Sequence, residues 1–260
     1  MAHIIEFNLD IGKTKPDNVH HQQDYCPFCD VAHLTNVMET RGSMIWLENK
    51  YRVLKDCWQT VIIESDDCHG DFATYEAPHA LELIRFGLEK WQQVKDMGRF
   101  KSVVFYRNHG PMSGGTIRHP HCQIVGLEKY DYHEEMSQKN FEGYTVLSSP
   151  AMDINIAAVP NIGFYEANLV LHDMAALPTF VVYMQRTAAF LLEGFTHHND
   201  SYNIFFYDFP DDKNLYVKMI PRYLTNPLYV GYKVIQVANE HHRQHVIERY
   251  RRALEGKSSG

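Results

Sequence analysis

The chain has 260 residues, of which 45% are hydrophobic and 22% are charged, a composition typical of a folded globular protein rather than a disordered or fibrous one. Its formal net charge of −7, together with the lack of any basic stripe, argues against a protein that binds nucleic acid. No apolar run approaches the roughly 20 residues that a membrane-spanning helix needs, so we expect no membrane partner either.

The start of the chain, "MAHIIEFNLDIGKTKPDN", has no basic segment followed by an apolar core, so the sequence predicts no signal peptide. There are five cysteines, and Cys26 and Cys29 form a C-x-x-C pair. In a chain without an export signal, such a pair indicates a metal site or a redox pair before a disulfide. We therefore expect a cytoplasmic protein.

The first half of the chain contains four predicted strands around one helix. Residues 1–25 are polar and without pattern, which predicts an arm laid over the surface or over a partner subunit. The segments "SMIWLENKYRVLKD" and "QTVIIES" read as two strands. The stretch from Pro78 to Met97 is predicted to be helical, because it carries one apolar stripe, formed by Leu81, Ile84, Leu88 and Trp91. The segments "KSVVFYRNHG" and "HPHCQIVGL" read as two further strands, joined by a glycine-containing loop.

The second half of the chain repeats this order. The segment "NIGFYEANLVLHD" reads as extended, and a helix is predicted from Pro178 to Phe195. The segments "SYNIFFYDFP" and "LYVKMIPRY" supply two more strands, and a charged final helix is predicted around 231–255.

The repeated order predicts an α+β protein with a mainly antiparallel sheet, built from a duplicated strand-strand-helix-strand-strand unit. The boundary between the two units would fall near residue 140. We therefore expect an N-terminal half over residues 1–140 and a C-terminal half over residues 141–260.

The chemistry-bearing residues lie on the strand that follows the glycine loop. Because side chains alternate along a strand, His119, His121 and Gln123 project from one face, and Cys122 and Ile124 from the other. Three neighbouring polar side chains are costly to bury without partners. One alternative is an exposed edge strand with incidental histidines.

Two features favour a binding site over that alternative. Pro120 cannot donate to a strand ladder, so this strand should lie at an edge of the sheet or be distorted where it meets a ligand. The preceding segment "NHGPMSGGT" is rich in glycine and hydroxyl groups, which lets backbone amides approach a phosphate closely. Asn108, Ser113 and Thr116 add neutral donors there.

The "CPFC" pair and the later pattern N-x-G-x-x-x-G-G-T-x-x-HPH-x-Q resemble galactose-1-phosphate uridylyltransferase and its relatives in the histidine-triad (HIT-like) superfamily. That family is built from two half-barrel repeats, so the resemblance covers nearly the whole chain. It implies a duplicated HIT-like fold whose catalytic motif lies in the first half. Family members pair as dimers, so we also expect a homodimer.

The resemblance implies nucleophilic catalysis. His121 would attack the α-phosphorus of a nucleoside diphosphate compound and hold the nucleotidyl group covalently. Gln123 would donate a hydrogen bond to a phosphoryl oxygen. The positions that match family contacts to the phosphates or the nucleoside are Asn49, Asn108, Gly114, Gly115 and Thr116. Since glutamine cannot shuttle a proton, Gln123 favours transfer to an acceptor over rapid hydrolysis.

The resemblance also implies a structural zinc ion (Zn²⁺). His119 matches the family's metal-ligand histidine, and Cys26 and Cys29 would be two further ligands on a tetrahedral site. The fourth ligand is open between two neighbours in "ESDDCHGD": Cys68 stands in the gap-free register, and His69 comes one residue later.

The chain departs from the family in three places. Only Lys13 and Lys15 stand where family members have arginines before a proline, and Lys50 replaces an acidic residue that contacts ribose. In the second half, the histidines of a further metal site are missing, with Tyr207, Tyr216 and Lys218 near their positions, so we expect no second metal.

We therefore expect an enzyme, a zinc-containing nucleotidyltransferase acting on a small nucleotide or nucleotide sugar. The alternatives are a dinucleoside polyphosphate or sugar-nucleotide phosphorylase or hydrolase that uses the same nucleophile, and a non-enzymatic, zinc-stabilised nucleotide-binding protein.

Overall fold

One open antiparallel sheet dominates the computed structural model, which describes residues 4–21, 25–193, 199–223 and 225–256. Within these ranges the sheet has ten strands: β1 (Val37–Arg41), β2 (Met44–Glu48), β3 (Cys57–Ile63), β4 (Ser102–His109), β5 (His121–Leu127), β6 (Gly143–Ser148), β7 (Met152–Ala157), β8 (Ala167–Leu171), β9 (Tyr202–Tyr207) and β10 (Leu215–Pro221). The same ranges contain five α-helices: α1 (Leu9–Lys13), α2 (Ala77–Asp96), α3 (Leu177–Glu193), α4 (Pro227–Tyr232) and α5 (Glu240–Leu254). The predicted α+β class with an antiparallel sheet is confirmed.

The strand order contains an internal repeat. The order across the sheet is β1-β2-β3-β5-β4-β9-β10-β8-β7-β6. From each edge of the sheet towards the centre, the strands of that half follow in the order first, second, third, fifth and fourth in sequence. Each half also has a long helix between its third and fourth strands. The halves meet where β4 pairs with β9. The predicted duplication is therefore present, although each unit has three strands before its helix rather than the two predicted. The division into halves at residue 140 stays a prediction.

The main core lies between one face of the sheet and the helices α2, α3 and α5. Residues of the predicted helical stripes are buried there, among them Ile84, Trp91, Val181, Met184 and Leu191. The described residues contain one helical segment, Met174–Glu193, whose length and apolarity would suit a membrane span, and half of that segment is buried inside the protein. The segment includes α3, which packs in the main core.

The predicted helix around 231–255 is wrong in its first part. The chain forms two helices, α4 and α5, and the residues between them are not helical. Helix α4 ends because Lys233 adopts a left-handed conformation with φ of 58°. Helix α5 begins at a new cap, where the Asn239 side chain accepts a hydrogen bond from the backbone N–H of His242.

Of the two placements that Pro120 predicted for the histidine strand, an edge of the sheet or a distortion where it meets a ligand, the edge is wrong. Strand β5 pairs with β3 on one side and with β4 on the other, so it is a central strand. Pro120 lies just before the strand begins, and its carbonyl accepts a hydrogen bond from the backbone N–H of Glu64. The missing proline N–H therefore costs no ladder bond.

Candidate functional site

A cavity of about 280 Å³ opens on the face of β5 that lies opposite the main core. The strand alternation predicted from sequence produces this arrangement, because Cys122 and Ile124 are buried in the main core while His121 and Gln123 line the cavity. Apolar side chains of the lining include Phe28, Leu34, Leu47 and Val61, and its polar side chains include Lys15, Asn49, Lys50, Thr116, His121 and Gln123. The cavity thus combines an apolar wall with convergent polar groups, as small-molecule sites do.

His121 is held in one tautomer by the backbone. Its Nδ1 lies 2.8 Å from the carbonyl oxygen of His119 and donates a hydrogen bond to it. The other ring nitrogen, Nε2, therefore carries the lone pair. Burial lowers the pKa of His121 below its usual value, which keeps the ring neutral at pH 7. The Phe28 ring packs edge-on against the imidazole, with centroids 5.3 Å apart. The site thus presents a neutral, oriented imidazole nitrogen.

Gln123 is oriented by a tyrosine on the neighbouring strand. Tyr106 is its direct partner in the ladder between β4 and β5, and the Tyr106 hydroxyl donates to Gln123 Oε1 over 3.0 Å. Because the amide oxygen is occupied, the amide N–H₂ group of Gln123 is left as a donor for other groups. The sequence analysis did not identify Tyr106 as a site residue. Its pairing with Gln123 depends on the register between β4 and β5.

The glycine loop after β4 takes a shape that only glycine allows at two positions. Gly110 has φ of 81°, and a Cβ there would lie 2.0 Å from the carbonyl oxygen of Asp200. Gly114 has φ of 87°, again in the left-handed region. Of the predicted substrate-binding residues, Gly114, Gly115, Thr116 and Asn49 line the cavity. Asn108 does not; it lines a second cavity on the other side of this loop.

Four predicted metal ligands converge next to His121. The ligand atoms of Cys26, Cys29, Cys68 and His119 all lie within 4.8 Å of one another. His119 Nδ1 lies 3.7 Å from Cys26 Sγ and 3.5 Å from Cys29 Sγ. Its Nε2 donates to the carbonyl oxygen of Ser65 over 2.8 Å, so Nδ1 is the nitrogen that faces the thiols. Of the two candidates for the fourth ligand, the Cys68 thiol lies in this group, whereas His69 lines the second cavity.

This donor set fits zinc. Three thiols and one imidazole in a closed cluster match structural zinc sites rather than calcium or magnesium sites. Burial opposes ionisation of Cys26, but hydrogen bonds from His119 and Cys29 lower the pKa of Cys26 to about 6. Burial and the neighbouring thiols raise the pKa of Cys68 to about 12. One thiol of the cluster is thus ready to ionise, and a divalent cation would displace the remaining protons.

A buried charge pair lies below the strand that carries the histidines. Arg107 Nε donates to Glu64 Oε1 over 2.8 Å, and both side chains are at most 2% exposed. Tyr75 also donates its hydroxyl to Glu64, and the Cys122 thiol lies 3.3 Å from the same carboxylate. Sequence reasoning missed this network, although a glutamate and an arginine inside apolar strand segments are signals of it.

Two lysines of the first half reach the first cavity. Lys15 is half-buried, and burial lowers its pKa. Lys50 also lines this cavity, with its Nζ 5.9 Å from the centre of the Tyr51 ring. Asn49 uses its side-chain oxygen to accept a hydrogen bond from the Tyr51 backbone, which leaves its amide nitrogen as a donor. The site therefore offers cationic and neutral donors to an anionic ligand.

In the second half, Lys218 is fully buried and reaches three oxygen atoms. Its Nζ lies 3.2 Å from a Glu166 carboxylate oxygen, 2.7 Å from Asn168 Oδ1 and 3.0 Å from the Asn140 carbonyl. Burial lowers the pKa of Lys218. Lys218, one of the residues expected near the place of the missing histidines, is thus engaged by oxygen atoms of the protein.

Comparison with solved structures shows where this fold recurs. A uridylyltransferase mutant has a TM-score of 0.69 at 12% identity, with 89% of this chain and 94% of that chain covered. An ADP-glucose phosphorylase from Arabidopsis thaliana with bound ADP-glucose has a TM-score of 0.61 at 11% identity, covering 80% of this chain and 82% of that chain. At these identities the likeness shows a shared fold, which supports the resemblance noted from the sequence. No curated protein sequence matches the chain.

Family models give a more specific match. DUF4931 is a family defined by a domain of unknown function. The model of its N-terminal domain matches residues 7–130, and the model of its C-terminal domain matches residues 133–251. A DUF4931 family protein from Bacillus cereus ATCC 10987 is 38% identical, with a TM-score of 0.75 over 84% of this chain and 98% of that chain. The chain therefore belongs to the DUF4931 family and has the fold of uridylyltransferases.

Proposed function

We propose that the protein is a nucleotidyltransferase that moves a nucleoside monophosphate from a sugar nucleotide, or a similar diphosphate compound, through a covalent intermediate on His121. The observation that carries this proposal is the state of that imidazole. It is neutral, its Nδ1–H is fixed on the His119 carbonyl, and the residue lines a cavity of nucleotide-compatible size.

In the first step, His121 Nε2 attacks the α-phosphorus. A P–N bond forms, the P–O bond to the β-phosphate breaks, and the leaving phosphate keeps the electron pair. The ring then carries a positive charge and retains its Nδ1 proton, which the His119 carbonyl stabilises from 2.8 Å. In the second step, an acceptor oxygen attacks phosphorus and the P–N bond breaks, returning the electron pair to Nε2.

Gln123 favours donors whose leaving group is a phosphate. Its amide N–H₂, oriented by Tyr106, can stabilise charge on a phosphoryl oxygen but cannot donate a full proton to the leaving group. A phosphate ester leaves as an anion without protonation, whereas an alcohol or amine does not. The donor class is therefore a nucleoside diphosphate derivative.

The cysteine cluster would hold zinc in a structural role. Bound zinc would offset most of the charge of the thiolates of Cys26, Cys29 and Cys68 and join the segment at residues 26–29 and the segment at Cys68 to His119. His119 lies two residues before His121 and also supplies the carbonyl that fixes its tautomer. Pinning His119 thus pre-organises the nucleophile.

The test is covalent labelling. Zinc-loaded protein is incubated with UDP-glucose, ADP-glucose or diadenosine tetraphosphate, each labelled at the α-phosphate, and acid-labile label on the protein is counted. We expect label in the wild type, none in His121→Asn, and full labelling in the matched control His172→Asn, whose histidine lies in the second half beside Asp153.

The fate of the label separates the possible reactions. Label discharged by a sugar phosphate shows transfer, label discharged by inorganic phosphate shows phosphorolysis, and label lost to water shows hydrolysis. If the wild type binds nucleotide but takes up no label, and His121→Asn binds equally well, the protein is a zinc-stabilised nucleotide-binding protein and the proposal is wrong.

Phosphorolysis is the second candidate function. The similar fold of an ADP-glucose phosphorylase with bound ADP-glucose favours it. A phosphorylase uses phosphate as the acceptor, and ADP-glucose is a nucleoside diphosphate donor. The nucleophile and the first step would be the same in both reactions.

A further inference from the structure

The first cavity extends from His121 to a remote end just after strand β2. His121 pairs with Ile63 of β3, and Ile63 pairs with Ile45 of β2. Asn49 lies four residues after Ile45 and still joins the ladder, because its backbone N–H donates to the Gln59 carbonyl over 2.8 Å. Two strand spacings and four residues correspond to about 10 Å across the sheet and about 13 Å along it. A ligand that fills the cavity therefore extends well beyond the group that contacts His121.

The remote end, formed by Asn49 and Lys50, offers hydrogen-bond donors. The Asn49 side-chain oxygen already accepts the Tyr51 backbone N–H over 2.9 Å, so its amide nitrogen is the group left to bind a ligand. Lys50 is exposed and lines the cavity, and no described residue forms an ion pair or hydrogen bond with its ammonium group. A free ammonium group next to an amide donor is suited to binding an oxyanion.

Acceptors for sugar hydroxyl groups are scarce in the same cavity. Among the described residues of its lining there is no aspartate or glutamate. The side-chain oxygen of Gln123 is occupied by the Tyr106 hydroxyl, just as that of Asn49 is occupied by the backbone. In dinucleotide-binding folds a carboxylate binds the ribose hydroxyl, whereas a cationic side chain accommodates a phosphate on the ribose. The lining of this cavity corresponds to the second case.

The carboxylate that is nearest in sequence to Lys50 lies on the other face of the sheet. Glu48 stands between two residues that line the cavity, so strand alternation turns its side chain away from them. It accepts a hydrogen bond from Trp58 Nε1 over 2.7 Å and forms an ion pair with Arg52. Glu48 therefore neither neutralises Lys50 nor supplies an acceptor to the cavity.

The phosphate end of the cavity has a lysine of its own. Lys15 lines the cavity and lies four residues before Val19, whose backbone N–H donates to the Thr116 carbonyl over 3.3 Å. That bond joins this part of the N-terminal arm to the glycine loop. Lys15 can thus balance the charge of a diphosphate, which leaves Lys50 for a different anionic group.

We propose that the donor carries a phosphate group on its ribose, at the 2′ or the 3′ position, and that Lys50 and the Asn49 amide bind this group. The role of this ligand as the donor rests on the function proposed above. With the α-phosphorus at His121, the base lies on the apolar wall that includes Leu47 and Val61, and the substituted edge of the ribose faces the remote end.

The ribose phosphate takes no part in the bond changes. Attack by His121 Nε2 forms the P–N bond, and the rest of the donor leaves as a phosphate anion with the electron pair. The ribose phosphate stays on the nucleotidyl group that His121 holds, so Lys50 contacts the ligand in both steps. No other reactant is needed.

Titration calorimetry on the zinc-loaded full chain tests the proposal. The probes are AMP, UMP, their 3′,5′-bisphosphates and adenosine 2′,5′-bisphosphate. We expect at least one bisphosphate to bind about tenfold more tightly than the monophosphate of the same base, since it gains a charge-assisted contact. The preferred isomer identifies the position of the phosphate on the ribose.

Lys50→Gln should abolish the preference for the bisphosphate and leave the affinity for the monophosphate unchanged. Lys50→Arg should keep the preference, because it retains the charge. The matched control is Lys101→Gln, which removes another exposed lysine, directly before β4, that lines neither of the two cavities. It should bind every probe as the wild type does.

Three results would overturn the proposal. They are a lack of any preference for a bisphosphate, a preference that survives Lys50→Gln, and an equal loss of monophosphate and bisphosphate affinity in Lys50→Gln, which would place Lys50 against the base or the α-phosphate. Calorimetry needs no turnover, so a preference for bisphosphate without labelling of His121 would contradict the proposed function and leave the ribose-phosphate site standing. Labelling of His121 without such a preference would do the reverse.

Discussion

Replacing Glu64 with glutamine is expected to destabilise the protein strongly, because it removes one half of a charge pair that water does not reach. The carboxylate accepts from Arg107 Nε over 2.8 Å and from Nη2 over 3.2 Å, and it accepts the Tyr75 hydroxyl over 3.1 Å. The glutamate side chain is 0% exposed and the arginine 2%. Glu64→Gln keeps the shape but leaves a buried guanidinium without its main counter-charge.

The size of the effect follows from these contacts. Breaking a buried pair by removing one partner costs about 3–5 kcal/mol. Asp71 lies 3.7 Å from Arg107 Nη2 and retains part of the attraction, so the lower end of that range applies. For a protein of this size each kcal/mol lowers the melting temperature by about 2–4 °C, which gives a decrease of about 6–12 °C.

The assay is thermal and urea unfolding of the zinc-loaded protein, followed by circular dichroism. The matched control is Glu6→Gln, whose carboxylate is 69% exposed and whose partner Lys55 is 60% exposed, so its loss should stay below about 1 kcal/mol. Should Glu64→Gln unfold no earlier than Glu6→Gln, the buried pair would make no net contribution and the reasoning above would fail.

Three further predictions concern the site and the second half. Tyr106→Phe should slow labelling of His121 about fivefold, because it removes one hydrogen bond to Gln123. In a Gln123→Ala background the same change should have no further effect on the labelling rate. An equal loss in both backgrounds would show that Tyr106 does not act through Gln123. Cys68→Ser should lower the zinc content measured by elemental analysis, whereas His69→Ala should retain it, and the opposite result would exchange their roles. Lys218→Met should lower the free energy of unfolding by about 3 kcal/mol or more, because its carboxylate partner stays buried and unpaired, and an unchanged urea midpoint would contradict this.

The sequence predicted those parts of the fold that carry strong apolar periodicity. Helices α2 and α3 begin within a residue of the predicted starts, and the predicted end of α3 at Phe195 lies outside the described residues. Strands β1 and β6 were missed because they form the outer edges of the sheet, where most of their side chains are exposed and leave no alternation to detect. Strand β7 does alternate, with Met152, Ile154 and Ile156 buried, so its signal was present and overlooked.

For the site, local spacing predicted which side chains share a face of the strand. It did not predict which residues from other parts of the chain contact them. His119, His121 and Gln123 follow strand alternation, and the position of His121 and Gln123 in the cavity wall agrees with it. The edge placement of the strand was wrong, because a proline just outside a ladder has the same sequence signature as one on an edge. The orientation of Asn108 by Asn203 joins residues from the two halves, and no local pattern encodes such a contact.

The seam between β4 and β9 has a consequence for how the protein is made. During synthesis the first five strands leave the ribosome well before β9 exists, so β4 must wait with one row of backbone N–H and C=O groups unpaired. An unpaired strand of this kind invites pairing with another nascent chain. The glycine loop would also be unsupported at that stage, since the backbone of Asp200 that confines Gly110 is not yet in place. The half of the chain that carries His121 therefore stays incomplete until the second half has been translated.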